Sequence, residues 1–193
     1  MLGLKLPTDP RWVNLAEKSI QEILTDHAYC EQKAASSGIS LIVLFPELDE
    51  LVKEVAPVVD EEWGHFRMVL DEMQKRNLKL GRQRKDEYVA KINQRIKGDG
   101  GRESMLLNKL LICALIEARS CERFKLLSVH CSDVSLRSFY KKLMVSEAGH
   151  YKLFLSLAKK YIDPKKVDKR WDEILKIEAE IINELELRGD RMH

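Results

Sequence analysis

The sequence predicts an all-α protein: two helical hairpins joined by one long crossover, with a further long helix at the C-terminal end. Three observations carry this. The composition is 45% hydrophobic and 33% charged with only 9 Gly and 5 Pro, which suits helices better than strands and turns. Long stretches repeat apolar residues at helical spacing, and a Glu or a Glu-x-x-His pair interrupts the apolar face on four of them. The interruptions match in two halves. Glu31 precedes Glu62-Trp-Gly-His65 by 31 residues, and Glu117 precedes Glu147-Ala-Gly-His150 by 30.

The first helix opens at Thr8-Asp9-Pro10, a capping pair followed by Pro at an early helical position. Its stripe reads Ile20, Ile23, Leu24, His27, Ala28, Glu31, Ala34, Ala35, with the carboxylate in its middle. Gly38 invites a stop. Residues at equal height on antiparallel helices, however, lie equally far from the turn between them. The midpoint of Glu31 and Glu62 falls in Phe45-Pro46-Glu47, so the turn belongs at Pro46 and the helix runs through Gly38. The second helix spans about Glu47 to Arg76, kinked near Pro57, with stripe Val55, Val58, Val59, Glu62, His65, Phe66, Val69, Met73.

Residues 75–102 are a different material. They carry ten Lys or Arg against three acids, a local balance of +7 in a chain of net charge +2. This reads as a crossover over 77–102 with one short helix near 86–96. The third helix covers Glu103 to His130, with Leu107, Leu110, Ala114, Glu117, Cys121 and Phe124 inward. The midpoint of Glu117 and Glu147 lies in Cys131-Ser-Asp133, a turn and cap. The fourth helix runs from Val134 to Lys160, burying Tyr140, Leu143, Met144, Glu147, His150, Tyr151, Phe154 and Ala158. A last helix from Pro164 to Arg188 packs through Trp171, Ile174, Leu175, Ile177, Ile181 and Leu185. Two hairpins with one crossover is the ferritin-like four-helix layout, here with a C-terminal helix added. A single domain over 1–193 is the expectation.

Four cysteines without C-x-x-C spacing argue against a zinc ribbon and fit reduced, buried thiols. The first ten residues lack the apolar core of a signal peptide, and no apolar run approaches a membrane span, so a cytoplasmic protein is expected.

A Glu-x-x-His step puts both side chains on one helical face. One copy is ordinarily a solvated surface pair. Here both copies and both partner Glu fall on apolar stripes. Four buried carboxylates repel one another and lose water at several kcal/mol each; two divalent cations cancel that charge. The candidate ligands are Glu31, Glu62, His65, Glu117, Glu147 and His150. Glu31 and Glu117 are placed as terminal ligands, Glu62 and Glu147 as bridges. Oxygen with imidazole suits two iron ions, or manganese, and not structural zinc. Paired ferrous ions imply oxygen activation, with O2 as co-substrate. His27, one turn before Glu31, Arg119 and Tyr151 are candidates to support the ligands. Glu122 competes with Glu117 but falls off its stripe. Gly64 and Gly149 precede the two histidines although an interior Gly costs ~1 kcal/mol against Ala; the expectation is that their missing side chains let a neighbouring helix or substrate come close.

Asp26-His-Ala-Tyr-Cys-Glu31-Gln-Lys-Ala-Ala-Ser36, Ile116-Glu-Ala-Arg-Ser-Cys-Glu-Arg-Phe124 and Ser146-Glu-Ala-Gly-His-Tyr151 resemble the tRNA 2-methylthio-isopentenyladenosine hydroxylases, over about residues 10 to 185. The resemblance implies a non-haem di-iron monooxygenase that hydroxylates the isopentenyl group of a modified adenosine beside the anticodon, with the six residues above as iron ligands. The basic crossover fits an RNA substrate, with Lys79, Arg82, Arg84, Lys85, Lys91, Arg95, Lys97 and Arg102 as candidate tRNA contacts. Lys159, Lys160, Lys165, Lys166, Lys169 and Arg170 form a second patch. No flavin or haem motif is present, so electrons are expected from a ferredoxin-type reductase. The rivals are a quinone-biosynthesis hydroxylase, which calls for an apolar membrane-binding surface, an iron-storage ferroxidase, and a tRNA-binding bundle that keeps its metals without catalysis.

Overall fold

The computed structural model describes residues 2–193. In chain order its helices are α1 (Arg11–Glu17), α2 (Ile20–Leu44), α3 (Asp49–Lys75), α4 (Glu87–Arg95), α5 (Arg102–His130), α6 (Val134–Tyr161) and α7 (Pro164–Glu184); no strand occurs among the described residues. The connectivity is two long hairpins, α2–α3 and α5–α6, joined by one crossover, as the ferritin-like class requires. No helix among the described residues is long and apolar enough to cross a membrane. The chain forms two compact units.

One unit holds α1, α2, α3, the crossover to Lys85 and residues 188–192. Here the expected single first helix is broken: Ser19 leaves the helix at φ −131° and ψ 43°, separating α1 from α2. The apolar phase runs unbroken from Trp12 through Ile20 to Ile23, so periodicity carried no sign of the break. Its reason is tertiary, since α1 seats the C-terminal tail. The Trp12 indole donates to the Arg191 carbonyl at 3.2 Å, and Gly189 lies so close that a Cβ there would stand 2.2 Å from the Leu15 carbonyl carbon. The same contacts end α7 at Glu184, short of the expected Arg188. Asp26 accepts from the Arg191 guanidinium and the Met192 N–H, both at 2.8 Å. A continued helix would forfeit these bonds. Between α2 and α3, Gly38 makes the close approach: a Cβ would sit 2.6 Å from Val59 Cγ2. The helix accepts glycine's propensity penalty there for backbone proximity. α3 runs through Pro57 as one helix.

The other unit holds the N-terminal segment to Asp9, everything from Asp86 to Leu187, and His193. Asp86, Asp133 and Asp163 cap α4, α6 and α7, accepting from Val89, Leu136 and Lys165 amides at 3.0, 3.0 and 2.8 Å. α5 and α6 pack over Leu110, Ala114, Phe124, Tyr140, Leu143 and Phe154. α4 lies on α7 through buried Tyr88 and Ile92.

A buried ionic cluster ties this unit together. Arg119 has no exposed surface. It donates to Glu178 at 2.9 and 2.6 Å, to the Thr8 hydroxyl and the Leu6 carbonyl at 3.0 Å each, and to Glu122. Thr8 donates in turn to Glu122 at 2.7 Å, and the Tyr88 hydroxyl to Glu178 at 3.2 Å. Burial pushes the Glu178 carboxyl up although Arg119 pulls the other way, while burial and the Glu178 charge hold Tyr88 protonated as a donor.

Candidate metal centre

The α2–α3 hairpin brings Glu31, Glu62 and His65 together, each at most 7% exposed. His65 Nδ1 stands 3.7 Å from Glu31 and 3.5 Å from Glu62. These separations are long for hydrogen bonds. They are close to the roughly 3 Å between donors that share one ion at about 2.1 Å. The α5–α6 hairpin buries Glu117, Glu147 and His150 in the same way. Within each triad, one ligand atom per residue lies within 4.8 Å of the others.

Electrostatics mark the first triad as strained without a cation. Burial, then the Glu62 charge, pushes the Glu31 carboxyl up to about 8. Burial opposes protonation of His65, but the Glu31 and Glu62 carboxylates outweigh it and lift the imidazole to about 10. His27 is wholly buried, and its Nε2 lies 2.5 Å from Glu31 Oε1. Burial, then the His65 charge, lowers it to about 3, so it is neutral. The contact joins residues one turn apart on α2.

Two other expected supporters lie elsewhere. Arg119 projects to the opposite side of α5 from Glu117, where Glu122 and Glu178 hold it. Glu122 is therefore a structural anion and no rival to Glu117. Tyr151 turns to α7, its ring 6.1 Å from that of Trp171. Nor do Gly64 and Gly149 admit a neighbouring helix, because a Cβ at either would meet no atom within 4 Å. Gly149→Ala, on the exposed side of α6, should therefore raise stability by about 1 kcal/mol and the melting temperature by about 2–4 °C. An unchanged or lower melting temperature would show a conformational need for glycine there.

Cys121, one turn beyond Glu117, donates its thiol to the Met144 carbonyl at 3.4 Å; burial, then the Glu117 charge, pushes it up to about 11. A neutral thiol of this kind is no ligand.

Three of the expected RNA contacts are engaged internally. Arg84 bonds Asp190 at 2.5 Å and the Glu22 carbonyl at 3.1 Å; Lys91 bonds Glu184 at 2.7 Å, and Arg95 bonds Glu184 and Glu180. The acids on α7 and in the tail that claim them were invisible in the local charge count. Lys79, Arg82, Lys85, Lys97 and Arg102 remain exposed.

A ferritin-like fold with a buried Glu, Glu and His in each hairpin defines the class of carboxylate–histidine di-metal helical proteins. The family is more particular. Residues 2–193 match the family described as tRNA-(MS[2]IO[6]A)-hydroxylase (MiaE), and the chain belongs to it. It is 33% identical to the tRNA 2-(methylsulfanyl)-N(6)-isopentenyladenosine(37) hydroxylase of Pseudomonas putida, over 93% of this chain and 86% of that one. It is 28% identical to the enzyme of the same name from Salmonella typhimurium, over 93% and 83% of the two chains. Among solved structures it is similar to a protein with aldehyde deformylating oxygenase activity from Synechococcus, with a TM-score of 0.92 and 31% identity over 98% of this chain and 94% of that one.

Proposed function

We propose that this chain hydroxylates the isopentenyl group of 2-methylthio-N6-isopentenyladenosine beside the tRNA anticodon, using O2 at a pair of iron ions. What carries the reading is the doubled, buried Glu and Glu-x-x-His set in a chain of this family. The donor chemistry fits the metal. Each triad offers two carboxylates and one imidazole, a set that suits iron or manganese, and Glu31 and His65 are drawn toward protonation where no cation balances their neighbours. On this reading the chain acts as a single domain. Bound ferrous ions would supply the O2-activating chemistry. Glu31, Glu62 and His65 would hold metal from one hairpin, and Glu117, Glu147 and His150 from the other. The His27 N–H orients the Glu31 carboxylate. Conversion of R–H, O2, two electrons and two protons to R–OH and water requires an external reductase, for which a ferredoxin type is proposed. The cytoplasm, where tRNA is modified, is the proposed location.

Nucleoside analysis of tRNA from a strain lacking the gene tests this: the hydroxylated isopentenyladenosine should vanish and return on complementation. Unchanged tRNA would end the hydroxylase reading. Because a protein named for aldehyde deformylating activity shares the fold, the purified enzyme should also be offered a long-chain aldehyde; conversion of that alone would move the chain to that chemistry.

Metal loading has a pH signature. Without metal, Glu31 and His65 hold protons in the folded chain at pH values where the unfolded chain has lost them, about 4.3 to 8 and about 6.5 to 10. A raised folded value means stability that is present at low pH and lost as pH rises. Below about pH 6.5 the buried His27, lowered to about 3, acts in the opposite sense, so the metal-free protein should melt lower with each step from about pH 6.5 to 9, and Mn(II) or anaerobic Fe(II) should release protons on binding. Flat melting temperatures with no proton release would refute this charge assignment.

A further inference from the structure

Two basic patches far apart in sequence meet at one surface cleft. The loop that ends the crossover, the first turns of α5 and the start of α7 enclose about 490 Å³, lined among others by Lys97, Arg102, Lys166 and Arg170. All four belong to the same compact unit. Arg170 fastens the three segments: it donates to Asn108 of α5 at 2.9 Å, to the Lys97 carbonyl at 2.8 Å and to Glu173 at 3.0 Å. Those bonds use three of its five N–H donors and leave two for another acceptor. Lys97 and Arg102 are exposed, and Lys97 forms no ion pair among the described residues. Lys166 meets Glu103 at 3.2 Å, with both side chains more than half exposed. A pair so exposed is weak and exchanges readily for a stronger anion. Asp99 also lines the cleft, but its carboxylate is turned back onto its own loop, accepting from the Gly101 amide at 2.9 Å. Four cations against the two lining acids and Glu173, which pairs with Arg170, leave a local surplus of one positive charge around a concave surface.

We propose that this cleft seats a backbone phosphate of the tRNA substrate. The inference rests on the tRNA-hydroxylase reading and adds its anchoring point. Lys97 and Lys166 offer exposed charge, and Arg170 a guanidinium already held in place, an arrangement suited to a phosphodiester. The position contacts the backbone and carries no base specificity, so it should strengthen binding to any tRNA alike.

The test is binding of a labelled tRNA transcript to the full chain by fluorescence anisotropy across a salt series, with hydroxylation measured alongside. Lys97→Glu with Lys166→Glu should weaken binding at least tenfold near 0.1 M salt and flatten the dependence of log K on log salt by about one phosphate's worth, ~0.9. Iron content and melting temperature should stay as in the parent, and Lys97→Ala with Lys166→Ala should give a smaller change in the same direction. Lys141→Glu with Lys142→Glu, on exposed α6, alters net charge equally and should change affinity less than about threefold, since distant charges are screened at this salt. Equal weakening by both pairs, or unchanged binding by the cleft pair in an enzyme that hydroxylates tRNA, overturns the cleft alone. A parent protein that neither binds nor hydroxylates tRNA overturns the hydroxylase reading and the cleft with it.

Discussion

Glu62→Ala and Glu147→Ala should each abolish tRNA hydroxylation while leaving the metal-free fold intact. Removing a group that merely orients a metal ligand costs about 10–100-fold. Losing a ligand itself should exceed that, so a fall of more than about 100-fold is expected, with iron content falling in step. The metal-free stability should change far less. In the metal-free chain the Glu62 charge helps push the Glu31 carboxyl up to about 8. Removing it relieves the repulsion of Glu31 but also takes a carboxylate from His65, 3.5 Å away, so the two effects oppose and the metal-free melting temperature should move by less than about 4 °C. Iron analysis, nucleoside assay and melting with and without Fe(II) separate the cases. A variant that keeps full iron and turnover would remove that residue from the ligand set.

Arg119→Met should do the opposite, unfolding the protein with little regard to metal. The guanidinium is the cation shared by Glu178 and Glu122, and it also satisfies Thr8 and the Leu6 carbonyl. Breaking a buried pair by removing one partner costs about 3–5 kcal/mol, because the remaining charge is stranded away from water. For a chain of this size that lowers the melting temperature by about 6–20 °C. Adding Glu178→Gln and Glu122→Gln to Arg119→Met should restore much of the loss, since the stranded charges go with the cation. A triple variant no more stable than the single one would show that the cost lies in packing rather than charge.

The two site predictions differ because the sequence shows burial and not partnership. Glu31, Glu62, Glu117 and Glu147 were legible as carboxylates on apolar stripes, and their doubled spacing singled them out. Glu178 sends the same signal, four residues beyond Ile174 and three before Ile181, both buried, but without a repeat to draw attention to it. Its cation lies 59 residues away. The hairpins were legible because turns fall midway between matched residues, as Leu44–Asp49 and His130–Val134 show. The break at Ser19 and the early end of α7 were not, since both answer to a tail whose contacts reach back over 160 residues to Asp26. The eight crossover cations illustrate the same limit. Local charge placed them correctly in the chain, but whether each faces an acid of α7 or open water is decided by packing.

The Cys121 thiol has a bearing on how long such a catalyst lasts. An oxygenase endangers its own sulfur, and the species at risk is the thiolate. With a pKa of about 11, only roughly one such side chain in ten thousand is ionised at pH 7. Cys30 and Cys113 are less deeply covered. Turnover damage should therefore accumulate on those two before it reaches Cys121.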